Sequence, residues 1–290
     1  MPSATTTSAS STALSKRLFV FDFDWTLVET DSDYWVFQHL SEELHQEQLD
    51  CAGKVQWTDL QQRLLGELFA RGVSREDIEG VLSQIPFAPE MIEALRLMKS
   101  QGAELYILSD ANSVYIETVL EAYNIRQLFT KVITNPATFD ERGRLNVVRF
   151  HGLDQEPHNC PRPCQPNLCK GQEIQKLIDA QTWEQVIYMG DSTNDFCPST
   201  RLQSKDVVLA RRGLLLEKEI NENPQLVEAN VVYWNDAKDV LHATQAILLG
   251  SSSTAATSSL LAPSVSSTPA EVLSPMESSD QKMHAQAVRA

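Results

Sequence analysis

The stretch "FDFDWTLVET", residues 21–30, closes an apolar run and then sets two carboxylates two residues apart. Leu18 to Phe23 reads as a buried strand, and its period of two puts Asp22 and Asp24 on one face at the tip. Two carboxylates held there repel each other unless a cation sits between them. The pair alone also fits a turn cap assisted by Thr26, so other strand ends have to decide.

Three further apolar runs have the length and flanks of buried parallel strands: Glu104 to Leu108, Val186 to Met189 and Val207 to Ala210. Helical patterns at Pro89 to Gln101, Ser113 to Tyr123 and Gly171 to Ala180 alternate with them. That order predicts an α/β fold, a doubly wound, Rossmann-like parallel sheet with its ligand site at the strand C-terminal ends. At those ends "SDAN" supplies Ser109 and Asp110, and "GDSTND" supplies Asp191 and Asp195. Lys170 opens a helix after "PNLC". One chemistry needs this set together, phosphoryl transfer to a carboxylate. An aspartate attacking an anionic phosphate needs Mg2+ and a lysine to neutralise the oxygens, and a second acid to protonate the leaving alcohol.

The chain of 290 residues has a formal net charge of −15, which argues against a nucleic-acid footprint or a basic membrane anchor. No window is long and apolar enough to span a membrane, and the N-terminus lacks an apolar secretory segment, so a cytoplasmic protein with a small-molecule phosphate ester as substrate is expected, with no protein partner implied. Residues 1–16 and 250–290 are Ser-rich, without apolar period, and are expected to be disordered and dispensable for catalysis. The catalytic core is assigned to 17–30 and 87–249, and the strand-free, helix-rich interval 31–86 to an inserted helical cap. Within the core, 134–169 is a Cys/His/Pro-rich loop or small hairpin. Its His151, His158, Cys160, Cys164 and Cys169 suggest a structural Zn2+ site stapling the approach to Lys170, with reduced, packed cysteines as the alternative.

The chain resembles the haloacid-dehalogenase-like (HAD) hydrolases through "DFDWT", "LSD", Lys170 and "GDSTND", in that order. Within them "FDFDWTLVETDSD", "ILSDAN", "PNLCKG" and "YMGDSTNDFCP" are similar to the phosphoethanolamine/phosphocholine and pyridoxal-phosphate phosphatase family, over about residues 18 to 245. The resemblance implies a HAD core with a cap and a Mg2+-dependent phosphatase working through an aspartyl-phosphate. It implies Asp22 as nucleophile and Asp24 as general acid, then base. It further implies Mg2+ on Asp22, the Asp24 carbonyl and Asp191; phosphate on Ser109 and Lys170; Asp195 and Thr26 in support; and substrate contacts at Asp33 and Asp110. Trp25 departs from the family's usual acidic residue, and Ser192 and Thr193 replace its usual Gly-Ala. An acidic pocket at Asp31, Asp33 and Asp110, with a cation–π face from Trp25, Tyr34 or Trp35, favours amine-bearing esters such as phosphoethanolamine and phosphocholine. Pyridoxal 5′-phosphate is the alternative. A HAD-type protein phosphatase would be obstructed by the cap, a dehalogenase needs no acid at Asp24, and a catalytically dead binding module would be expected to lack one of the four core residues.

Overall fold

The computed structural model describes residues 16–249; the expectations for 1–15 and 250–290 lie outside them. The chain runs β1 (Arg17–Phe21), α1 (Ser32–Leu40), α2 (Glu42–Cys51), α3 (Trp57–Ala70), α4 (Arg75–Leu82), α5 (Pro89–Ser100), β2 (Glu104–Asn112), α6 (Ser113–Ala122) and β3 (Lys131–Asn135). It continues through β4 (Ala137–Phe139), β5 (Leu145–Val147), α7 (Lys170–Ala180), β6 (Gln185–Gly190), α8 (Phe196–Ser199), β7 (Val207–Arg211), α9 (Leu215–Glu222), β8 (Asn230–Trp234) and α10 (Ala237–Leu249).

Six strands form a parallel sheet in the order β3-β2-β1-β6-β7-β8, as the doubly wound reading requires. β1 lies inside, and its side chains alternate between two cores. Phe19 and Phe21 pack with Met91 and Leu95 of α5, Ile116 of α6 and Val240 of α10. Leu18 and Val20 pack on the other face with Ile174 of α7 and Leu216 and Ile220 of α9. Covering both faces explains why this strand reads as an unbroken apolar run.

Two strand ends differ from the sequence reading. β1 stops at Phe21 rather than Phe23, although the Asp22 N–H still donates to the Met189 carbonyl at 2.9 Å. β2 runs on to Asn112, with an irregularity between Leu108 and Asn112 that ends its regular pairing with β3. β3 and β8 are edge strands with exposed or half-buried positions; β3 has no continuous apolar run, whereas β8 carries one, Val231 to Trp234, that the sequence reading passed over.

Between β1 and α5 the chain is helical. Asp31 caps α1 by accepting from the Tyr34 N–H at 2.9 Å, and Ser74 with Asp77 forms a reciprocal capping box on α4. Phe37, Leu44, Leu60 and Leu64 of this interval belong to the same buried cluster as Phe19. The β4–β5 hairpin braces α3, since Gln62 Oε1 accepts from the Val147 N–H at 2.6 Å. From 148 to 169 the described chain forms no helix or strand. No helix among the described residues is long and apolar enough to cross a membrane.

Candidate active site

The strand register determines what meets what. β1 pairs with β2 on one side and β6 on the other, with Phe21 opposite Ile107 and Met189, so the residues that follow these three share one sheet edge. There the buried Asp22 lies 3.0 Å from Lys170 Nζ through Oδ2, while its Oδ1 accepts from the Phe23 N–H at 2.7 Å. Lys170 is the first residue of α7, 1% exposed. Its Nζ donates to Asp195 Oδ1 at 2.7 Å and to Asn194 Oδ1 at 3.0 Å. Burial works against the Lys170 charge, but Asp195 and then Asp22 outweigh it, so its pKa rises and the ammonium persists.

Asp195 holds this corner together. Oδ1 also accepts from the Tyr188 hydroxyl at 2.6 Å, and Oδ2 accepts from the Asp191 and Ser192 N–H groups at 3.0 and 2.9 Å. Both its oxygens are committed to protein donors, which makes it an anchor for Lys170 and for the Asp191 turn. Gly190 is required here: a Cβ on it would lie 2.5 to 2.7 Å from the Asp195 side chain. Thr26 reaches across from the β1 loop and donates to Asp191 Oδ1 at 3.0 Å.

Asp22, Asp191 and Asp195 bring carboxylate oxygens within 4.8 Å of one another, all three buried. Burial first, and Asp195 next, push Asp22 well above the usual carboxylate range, with Lys170 opposing. A hard divalent cation suits such a crowd of buried oxygen donors, because it removes the repulsion that one lysine leaves in place. The donor set fits Mg2+, with Asp22 and Asp191 the side chains that would hold it.

Asp24 is half-buried, and its Oδ1 accepts from the Ser32 N–H at 2.8 Å. Burial, then Asp31, Asp33 and Asp22, raise its pKa, which favours the protonated form. Ser109 is fully buried at the β2 tip, where its Oγ accepts from the Ala111 N–H at 3.2 Å and keeps its own proton for another acceptor. Asp110 is exposed and accepts from Asn194 Nδ2 at 2.9 Å, so Asn194 bridges it to Lys170.

A cavity of about 530 Å³ opens over these groups. Asp31, Asp33, Tyr34, Trp57 and Thr58 line it from the helical side, and Asp110, Arg162 and Asn194 from the core. Trp57 Nε1 donates to Asp33 Oδ2 at 2.7 Å, and the rings of Tyr34 and Trp57 lie 5.3 Å apart. Of the three aromatics expected to face a cation, Tyr34 lines the cavity. Trp35 instead donates to the Val81 carbonyl and stacks on His39, and Trp25 lies beneath the Arg211 guanidinium, 5.7 Å from its ring centre. Trp25 adopts the left-handed φ of 53°, with Arg211 Nη1 donating to its carbonyl at 2.5 Å. The sequence reading missed Tyr188, Asn194, Trp57 and Arg162. Asn194 and Tyr188 had a local signal, their places inside "YMGDSTNDFCP".

The expected zinc ligands are partly brought together. Cys160, Cys164 and Cys169 converge, but the histidines do not join them: His151 Nε2 pairs with the Glu156 carbonyl at 2.6 Å and His158 Nε2 with the Gln165 carbonyl at 2.9 Å. The fourth group is Cys197 of α8.

The family model described as "Putative Phosphatase" matches residues 17–248. Inorganic pyrophosphatase 2 of Arabidopsis thaliana is 38% identical over 77% of this chain and 80% of its own length. The human pyridoxal phosphate phosphatase PHOSPHO2 is 34% identical over 80% of this chain and 99% of its own. A thiamine phosphate phosphatase-like protein of Arabidopsis thaliana is 36% identical over 78% and 93%. Among solved structures, phosphoserine phosphatase from T. onnurineus superposes with a TM-score of 0.52 at 18% identity, covering 82% of this chain and 98% of that one, a likeness of fold. The match along nearly the whole described chain, on a sheet that carries its acids at one edge, makes this protein a member of that phosphatase family of the HAD type.

Proposed function

We propose that the protein is a Mg2+-dependent phosphomonoester hydrolase that works through an aspartyl-phosphate on Asp22 and prefers small esters whose leaving group is cationic. The observation that carries the reading is Lys170, buried between Asp22 and Asp195 beside a third buried acid. An ammonium facing the nucleophile is the arrangement that receives an anionic phosphate.

Asp22 Oδ attacks phosphorus and the bond from phosphorus to the ester oxygen breaks. Asp24 gives its proton to that oxygen, then takes one from water as the water attacks the phosphoaspartate, which releases phosphate and restores Asp22. Lys170 and the Ser109 hydroxyl hold phosphate oxygens throughout, and Asp195 keeps Lys170 aimed. Mg2+, when bound by Asp22 and Asp191 with the Asp24 carbonyl, supplies positive charge against the phosphate oxygens. The helices within 31–86 act as the cap, closing the cavity over small esters.

Selectivity is assigned to the helical wall. Burial and then Asp31 raise Asp33, as burial, Asp31 and Asp33 raise Asp24, so these acids resist ionising together without a positive partner. A cationic leaving group supplies one, and Tyr34 with Trp57 offers it an aromatic surface. Phosphoethanolamine and phosphocholine fit this chemistry, and so does the pyridinium of pyridoxal 5′-phosphate, the second reading, which is favoured by the names of the mammalian relatives.

The test is a substrate panel of phosphoethanolamine, phosphocholine, pyridoxal 5′-phosphate, inorganic pyrophosphate and glycerol phosphate. Asp22→Asn is expected to lose turnover on all of them with an unchanged circular dichroism spectrum, and EDTA to silence the wild type until Mg2+ is returned. Near-normal turnover by Asp22→Asn would overturn the mechanism. A wild-type preference for pyrophosphate or glycerol phosphate would overturn the substrate class and leave the mechanism standing.

A further inference from the structure

The interval from 148 to 169 has little with which to hold itself. It lacks helix and strand, Leu153 is 81% exposed and Val148 57%, and only at Asn167, Leu168 and Cys169 does the chain become buried again. Burial on that scale does not offset the cost of fixing some twenty residues, at about 1–2 kcal/mol each for the backbone alone. Yet this segment delivers Lys170, and it carries Arg162 into the cavity wall.

Four thiols lie at its closing point. Cys160 Sγ is 3.6 Å from Cys197 Sγ and 3.7 Å from Cys164 Sγ, and with Cys169 the four sulfurs fall within 4.8 Å of one another. All are free cysteines. Tetrahedral zinc with bonds of about 2.3 Å sets its sulfurs about 3.8 Å apart, which matches these separations. The surroundings are shaped for the contact too: a Cβ on Gly171 would lie 2.3 Å from Cys197 Sγ, so glycine alone lets the start of α7 come this close to α8.

We propose that Cys160, Cys164, Cys169 and Cys197 form a structural zinc site that clamps the loop to the catalytic edge and positions Lys170. Two of the four ligands adjoin the machinery directly. Cys169 precedes Lys170 in sequence, and Cys197 lies two residues after Asp195, the acid that Lys170 grips. Metal bonds between these two points fix the lysine's backbone relative to its partner, while Cys160 and Cys164, in "CPRPC", fix the turn that presents Arg162. The ligand set excludes His151 and His158, whose Nε2 atoms pair with backbone carbonyls, while His158 Nδ1 accepts from the Cys160 N–H. The metal site stands apart from the phosphatase reading; only its effect on turnover rests on that reading.

Elemental analysis of the full chain, purified with a thiol reductant and without chelator, is expected to find about one zinc per chain. The zinc should survive in His151→Ala and His158→Ala and be lost from Cys197→Ser. Should Cys197→Ser fail to fold, Co2+ exchanged into the wild type must show the visible bands and thiolate charge transfer of a tetrahedral tetrathiolate. Absence of stoichiometric zinc, iron in its place, zinc lost with either histidine, or a cobalt spectrum of mixed nitrogen and sulfur ligation would overturn the site. In folded, zinc-free Cys197→Ser, kcat/KM is expected to fall on the order of 10²-fold on every ester alike, with Mg2+ in excess. Full activity without zinc would overturn the clamp on Lys170. Because zinc content is read independently of turnover, an inactive protein that keeps zinc would count against the phosphatase reading and not against the metal site.

Discussion

The two walls of the cavity are built in opposite ways. On the sheet edge, the polar groups are matched tightly: Asp195 takes four donors, Lys170 three acceptors, and Thr26 ties the Asp191 turn to the β1 loop. On the helical wall, burial and then Asp31 raise the pKa of Asp33, and the buried Tyr34 hydroxyl makes no hydrogen bond. A saturated network fixes geometry, and an unsatisfied one waits for a partner. Chemistry that is the same for every ester is assigned to the first wall and recognition of the leaving group to the second.

The strongest way to break this contrast is Asp195→Ala. It removes one of the two carboxylates paired with the buried Lys170 and strips the acceptor from the Tyr188 hydroxyl and the Asp191 and Ser192 N–H groups, and breaking such a buried pair costs about 3–5 kcal/mol. Chemical denaturation should register that loss, and turnover should drop on all substrates equally; a stable, active variant would show that the sheet edge is not an interlocked unit. Next comes Gly190→Ala, whose methyl must displace the Asp195 carboxylate, at about 1–3 kcal/mol by the usual cost of overpacking. The melting temperature and kcat should fall together.

Asp33→Asn probes the other wall. It should raise KM for phosphoethanolamine about tenfold, equivalent to about 1.4 kcal/mol, and leave KM for glycerol phosphate and the stability nearly unchanged. Equal effects on both esters would erase the division of labour between the walls. The smallest effect concerns the brace behind the helical wall. Asp140 accepts from the Arg142 and Arg144 N–H groups at 2.9 Å, and mainly the Arg144 bond lowers its pKa below the ordinary carboxylate value. A depressed folded-state pKa stabilises above the unfolded value of about 3.9 and ceases to do so as pH falls through the folded one. Asp140→Ala should therefore melt slightly earlier than wild type at pH 6, and the gap should close as the pH drops below the carboxylate range. A gap independent of pH would place the effect elsewhere than in the carboxylate.

The same contrast explains what the sequence made legible. Asp22, Asp24, Asp191 and Asp195 sit in short motifs at strand tips, where a period of two and a tight turn leave little freedom, so position in sequence nearly fixes position in space. Trp57 belongs to no such motif, and Cys197, although inside "YMGDSTNDFCP", lies far in sequence from the other cysteines. Trp57 reaches Asp33 by the packing of α3 against α1, and Cys197 reaches Cys160 across 37 residues because α8 follows the Asp191 turn. The histidines misled for the converse reason: they are close to the cysteines in sequence, but their rings turn toward backbone carbonyls of their own loop. Edge strand β3 was hidden by its mixed polar and apolar sequence, while the interior strands were readable because both faces are buried.

The pairing of Thr26 with Asp191 spans 165 residues, and that span has a meaning in time. At roughly 5–20 residues per second, synthesis leaves on the order of ten to thirty seconds between the first acid of this cluster and the last. For most of that interval β1 has no β6 beside it and Asp22 has no Lys170. The nascent chain therefore holds Asp22 without the partners that surround it in the fold. The buried ion pair of Asp22 with Lys170 can form only after residue 170 has emerged, so this acid cluster is completed late in the synthesis of the chain.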